Sequence, residues 1–119
     1  MMLSPEDEEV IQQLTKAGDD RSIARPVMNW FFGDEADLRA IGAALGRIGW
    51  IDVEPREDED GWLMSPTKVT DLSDEALILM NHELEEASAN LNATYDGWET
   101  SVEKSKRTGL FTKLFGKKQ

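Results

Sequence analysis

In a chain in which 31% of residues are charged, Val27-Met28-Asn29-Trp30-Phe31-Phe32 is the clearest strand signal. It is β-branched and aromatic, opened by Arg25-Pro26 and closed by Gly33-Asp34. Only Asn29 interrupts its apolar character, which predicts a central strand buried on both faces. A central strand needs neighbours on both edges and a layer packed against it, so the remaining segments are constrained to supply them.

The chain supplies them in order. Residues 5–17 read as a short amphipathic helix, with Glu6 to Glu9 at its first turn, Val10, Ile11 and Leu14 as its stripe, and Gly18 as its stop. After the strand, Asp34 is expected to cap a helix running to about Ile48. Leu38, Ile41, Leu45 and Ile48 fall at helical spacing, and Gly49 stands where a terminating glycine belongs. Gly42 and Gly46 each weaken that helix by about 1 kcal/mol relative to alanine, which close approach to the sheet would explain. Trp50 to Glu54 alternates as a half-buried strand, Pro55 to Gly61 is a polar turn, and Trp62 to Ser65 begins a third strand. Pro66 cannot donate to a ladder, so that strand lies at an edge, bulges or ends early, and Val69 is placed to resume it. Ser73 caps a second long helix, on which Leu77, Met80, Leu84, Ala87 and Leu91 keep a three-four spacing. A last strand is expected from Thr94 to about Val102.

After the first helix the order is β-α-β-β-α-β, the split βαβ pattern of a ferredoxin-like α+β sandwich. Right-handed crossovers would place the first and third of these strands centrally, with both helices on one face. Residues 1–22 form an N-terminal helix and loop in this scheme, 23–103 the α+β domain, and 104–119 a basic amphipathic tail.

Near the end of the folded part stands Tyr95-Asp96-Gly97-Trp98-Glu99. Asp-Gly accepts left-handed backbone angles at little steric cost, so the pair marks a turn or bulge with a large aromatic on either side. Two readings stand. Both rings plug the end of the core, or the kink aims one ring and a carboxylate at a partner. Tyr95-Asp96-Gly97-Trp98, following a helix-like run and closing a strand, resembles the signature of the RraB family of ribonuclease E regulators. Arg25 to Phe32 is similar to that family's aromatic first strand, and the likeness extends over roughly residues 24–103. The resemblance implies the same sandwich, a non-catalytic inhibitor, and ribonuclease E or its scaffold segment as partner. Tyr95, Asp96 and Trp98 would then be anchors, with Glu99 and the run Glu57-Asp58-Glu59-Asp60 steering a basic segment toward them. That acidic run also reads simply as a solvated hairpin loop.

Charge distribution points the same way. The net charge is −11, yet six of the 13 basic residues lie in the last 16 positions, which hold no acid. Residues 1–103 therefore carry 24 acids against seven bases. Such a body is repelled by nucleic acid and drawn to basic partners, so direct RNA or DNA binding by the folded part is not expected. In the tail, Leu110, Phe111, Leu114 and Phe115 fall on one side of a short helix with lysines opposite. It reads as disordered, as folded back on the acidic body, or as docking to a membrane surface or a partner. The alternative function is an adaptor or immunity-type module with a different partner, with membrane-surface association through this tail as a further option.

With no cysteine and one histidine, thiol catalysis, disulfides, zinc-ligand clusters and nucleophile–base pairs are not expected. No cofactor is implied. His82 lies off its helix's apolar stripe and should be exposed. Asn92, Thr94, Asp96, Gly97 and Glu103 partly match a calcium-loop spacing, but a strand rather than a helix should follow. The N-terminus lacks the apolar core of a signal peptide, and no run of 18 apolar residues is present, so a soluble, cytoplasmic protein is expected.

Overall fold

The computed structural model describes residues 3–105. Eight elements follow one another: α1 (Pro5–Lys16), β1 (Arg25–Gly33), α2 (Glu35–Arg47), β2 (Arg56–Asp58), β3 (Gly61–Met64), β4 (Thr67–Thr70), α3 (Asp74–Ser88) and β5 (Ala93–Thr100). The protein is α+β, with three helices and a five-stranded sheet whose strand pairs are all antiparallel.

β1 is the centre of that sheet. β3 and β4 pair with its two halves, β5 pairs along its length, and β2 extends the sheet beyond β3. Its burial alternates instead of being uniform. Val27, Asn29 and Phe31 are buried, whereas Met28 and Trp30 are half-buried and Phe32 is exposed. The apolar run therefore makes a central strand, as its composition predicts, but burial on both faces is incorrect. A parallel sheet has helices on both sides, whereas an antiparallel sheet can leave one face open to solvent. Here Val27 and Phe31 share one core with Ile11 and Leu14 of α1, Leu38, Ile41 and Leu45 of α2, and Leu77, Met80 and Leu84 of α3.

The expected strand at 50–54 is the main departure. Only Ile51 bridges, to Thr67, and Asp52 takes a positive φ of 54° that breaks extended pairing. Trp50 turns into the core, where its Nε1 donates to Glu83 Oε1 at 2.9 Å. The strand forms instead at Arg56–Asp58, inside the stretch expected to be a turn. Pro66 interrupts the third strand as anticipated, separating β3 from β4. Gly42 is required by a close approach, though to the 50–54 segment as well as the sheet: a Cβ there would overlap the carbonyl of Val53 and press on Met64 Sδ. Ile48 falls at the end of α2 and is 56% exposed, so the buried stripe stops one turn earlier than its spacing suggests.

Helix α1 is tied to the rest of the fold. Ser4 caps it, its Oγ accepting from Asp7 N at 3.1 Å, an interaction worth about 1 kcal/mol. Beyond its C-terminus, Asp19, whose side chain is buried, forms an ion pair with Arg25 at the start of β1 and accepts from Glu103 N at 2.8 Å. Arg25 also donates to the carbonyls of Ile23, Asp20 and Ser101, so one guanidinium joins the α1–β1 loop to the end of β5. No helix among the described residues is long and apolar enough to cross a membrane.

Candidate partner-binding groove

The Asp96-Gly97 pair forms a bulge in β5. Asn29 opposes Trp98 and Phe31 opposes Tyr95, so one residue of β1 faces two of β5, and Gly97 has a φ of 94°. The consequence follows from strand geometry. Residues three apart in a regular strand point to opposite faces. The extra residue cancels that offset and brings Tyr95 and Trp98 to the same helix-covered face as Asn29 and Phe31.

The two rings then differ. Trp98 is 8% exposed and belongs to the core, its Nε1 donating to Asp7 Oδ1 at 2.7 Å. Asp7, itself buried, also accepts from Asn81 Nδ2 at 2.6 Å through Oδ2, so one carboxylate joins α1, α3 and β5. Tyr95 is 40% exposed. Its hydroxyl donates to Asn29 Oδ1 at 2.6 Å, and its ring lies 5.2 Å from that of Phe31 in a tilted pair. Burial pushes the Tyr95 hydroxyl well above the ordinary tyrosine value of 10.0, and the charge of Asp7 adds to the effect.

Around these residues lies an open groove of about 930 Å³ between α1, α3 and the bulge. Its floor is apolar, formed by Phe31, Leu84 and Trp98, with Val10 and Ile78 on the flanks. Glu6 and Glu9 line it from α1, Glu85 from α3 and Asp96 from β5, with Asp7 deeper. Besides the Tyr95 hydroxyl, His82 is the other non-carboxylate ionisable group on the lining, and it is exposed as expected and lies 3.4 Å from Glu86 Oε2. The partly calcium-like spacing straddles β5, and Asn92, just before that strand, is engaged by its Nδ2 donating to Asp34 Oδ2 at 3.2 Å.

Only part of the proposed contact set is brought together. Tyr95 and Asp96 open onto the groove, whereas Trp98 supports it from beneath. Glu99 points to the other face of the sheet, opposite Met28, and accepts from Trp30 Nε1 at 2.7 Å. Glu57 and Asp58 lie in β2 and Glu59 and Asp60 in its turn, all four exposed. β2 and β5 sit at opposite edges, three inter-strand spacings or about 14 Å apart. Leu110, Phe111, Leu114 and Phe115 lie outside the described residues.

Glu6, Asp7, Glu9, Asn81 and Glu85 are polar groove residues that sequence reasoning missed as part of a site. Asp7 falls on the same helical stripe as Ile11 and Leu14, a carboxylate in a buried position, and that spacing was the available signal.

No curated protein sequence matches the chain. A family model described as RraB, regulator of ribonuclease activity B, matches residues 4–100, a span that runs from the cap of α1 through β5. The chain belongs to the RraB family.

Proposed function

We propose that this protein is a non-catalytic regulator of ribonuclease activity that acts by binding a basic segment of another protein, with ribonuclease E as the partner. Family membership supports regulation of a ribonuclease. The observation that carries the binding mode is the groove, whose carboxylates rise from three elements around an aromatic and aliphatic floor. An arginine-rich segment fits it twice over: guanidinium groups pair bidentately with carboxylates, and their planar faces and stems pack on rings. Tyr95 and Asp96 make direct contact in this reading, joined by Glu6, Glu9 and Glu85. Trp98 acts indirectly, by holding the floor and bulge in place. Regulation follows by competition, since a basic segment held here is withheld from RNA.

The reading places the protein in the cytoplasm. It also takes the sheet as a ferredoxin-like sandwich, a view supported by β1 lying between β5 and the interrupted β3–β4 strand. Glu57 to Asp60, remote from the groove, contribute long-range attraction rather than contact.

A pull-down from bacterial lysate, with and without ribonuclease treatment, tests this. Ribonuclease E retained in both lanes by the parent, and lost by the folded Glu85→Lys/Asp96→Lys variant, is the expected result. Capture that disappears on ribonuclease treatment would show RNA to be the ligand. Retention of a different basic protein in both lanes would point to an adaptor instead.

A further inference from the structure

The groove has a candidate occupant within its own chain, and the argument rests on reading the groove as a site for basic segments. We propose that residues 106–118 bind in cis along the groove between α1, α3 and β5. Leu110, Phe111, Leu114 and Phe115 would meet its apolar floor, and the flanking bases its carboxylates.

Three observations converge. The first is where the described chain ends. Asp20 N donates to the Glu103 carbonyl at 2.7 Å, and Asp19 receives Glu103 N, so the exit is pinned beside the C-terminal end of α1. The groove is lined by the opposite half of that helix, from Ser4 to Val10. α1 has 12 residues and is therefore about 18 Å long. From Glu103 to Leu110 the chain spans at most about 25 Å when extended, enough to bring Leu110 to the groove.

The second is charge. Positions 106–118 hold five bases and no acid, whereas residues 1–103 hold 24 acids. The third is pattern. Leu110, Phe111, Leu114 and Phe115 repeat at i, i+1, i+4 and i+5, one face of a helix of about two turns. A helix that short is marginal alone in water and needs a surface to complete it. A groove between two helices with an apolar floor is the surface into which an amphipathic helix docks. Tethering at this distance gives an effective concentration in the mM range, so even a weak contact is substantially populated. The segment then competes with any external basic partner and sets the concentration at which that partner gains access.

The absence of native cysteines allows a single spin label on full-length Lys118→Cys. The expected result is intensity loss at the backbone amides of Glu9, Glu85, Asp96 and Gly97, with those of Glu57 to Asp60 at the far edge of the sheet spared. Recovery of those signals should follow from adding Phe111→Glu and Phe115→Glu, and from raising salt to about 0.5 M. Loss confined to that far edge, or groove loss that survives the two substitutions, would overturn the proposal. So would equal loss at an unlabelled ¹⁵N chain when it is mixed with spin-labelled chain lacking ¹⁵N, which indicates a second copy. Co-sedimentation with phosphatidylglycerol vesicles without any groove broadening would also overturn it, in favour of a membrane. Titration with a deca-arginine peptide separates this inference from the function it rests on. A peptide that shifts the groove amides while the label never does leaves the binding reading intact and removes the cis contact. A label that broadens the groove while the peptide does not reach it does the reverse.

Discussion

Two acidic regions of this molecule differ in what lies beneath the charge. Glu57, Asp58, Glu59 and Asp60 form a hairpin in which Asp60 N donates to Asp58 Oδ1 at 2.9 Å, and all four residues are exposed. The groove also carries carboxylates, but over Phe31, Leu84 and Trp98 and against a buried network of Asp7, Asn81 and the Trp98 indole. Exposed pairs are worth little because solvent screens them and long side chains lose freedom to make them. Charge above an apolar floor is different, since a partner can desolvate its contacts there and bury apolar surface in the same act. In the proposed reading the hairpin attracts a basic partner and the groove holds it.

The largest effect that would test this contrast is in the floor. Trp98→Ala should cost about 3–5 kcal/mol of stability in urea denaturation, because it leaves a cavity and strips Asp7 of a donor. A much smaller cost would mean that Trp98 is not structural and that the groove is shallower than described. Asp7→Ala comes next, at about 1–3 kcal/mol, since it leaves the Trp98 Nε1–H and the Asn81 amide without their shared acceptor.

Binding then separates the regions directly. Glu85→Lys/Asp96→Lys should weaken an arginine-rich peptide by about 1–2 kcal/mol in calorimetry, with the melting temperature nearly unchanged. Tyr95 sharpens the picture from the stability side. Tyr95→Phe removes its bond to Asn29 and should cost about 1 kcal/mol. Its hydroxyl is raised in the folded state, so between 10.0 and that higher value the unfolded chain binds fewer protons than the native one. Stability contributed here is complete below pH 10.0 and is lost as pH rises above it. Tyr95 is the only tyrosine, so phenolate absorbance reports it alone, and its ionisation should coincide with unfolding. The smallest effect belongs to the hairpin. Neutralising Glu57 to Asp60 together should change peptide affinity by less than about 0.5 kcal/mol, with slower association at low salt. A larger loss there than in the groove would invert the comparison.

Much of this was legible from residue order. The central strand, the helix start at Ser73, the interruption at Pro66 and the Asp-Gly bulge all follow from local chemistry: side-chain branching, a capping oxygen, a missing donor and a permitted positive φ. Asp34 stands at the N-cap of α2 as expected, but its side chain makes no capping bond and accepts from Asn92 instead. The acidic body with its basic end is likewise plain in the residue count. What local reasoning misplaced depends on partners distant along the chain. Trp50 to Glu54 has a strand's alternation, yet Trp50 is drawn to α3, leaving Arg56–Asp58 to complete the sheet edge. Apolar side chains on β1 state that the strand is central but not which face meets helices, because packing against a layer decides that.

The candidate site divides along the same line. Sequence alone determined that an aromatic kink and an excess of carboxylate exist, since both are properties of composition and short-range geometry. Only the tertiary structure decided that Trp98 is buried while Tyr95 is partly open, and that Glu99 faces away from Asp96. It alone joins Asp7, Asn81 and Trp98, which lie as many as 91 positions apart in the chain. Burial is a property of what packs against a residue, and for this groove the packing comes from three elements that meet only when the chain is folded.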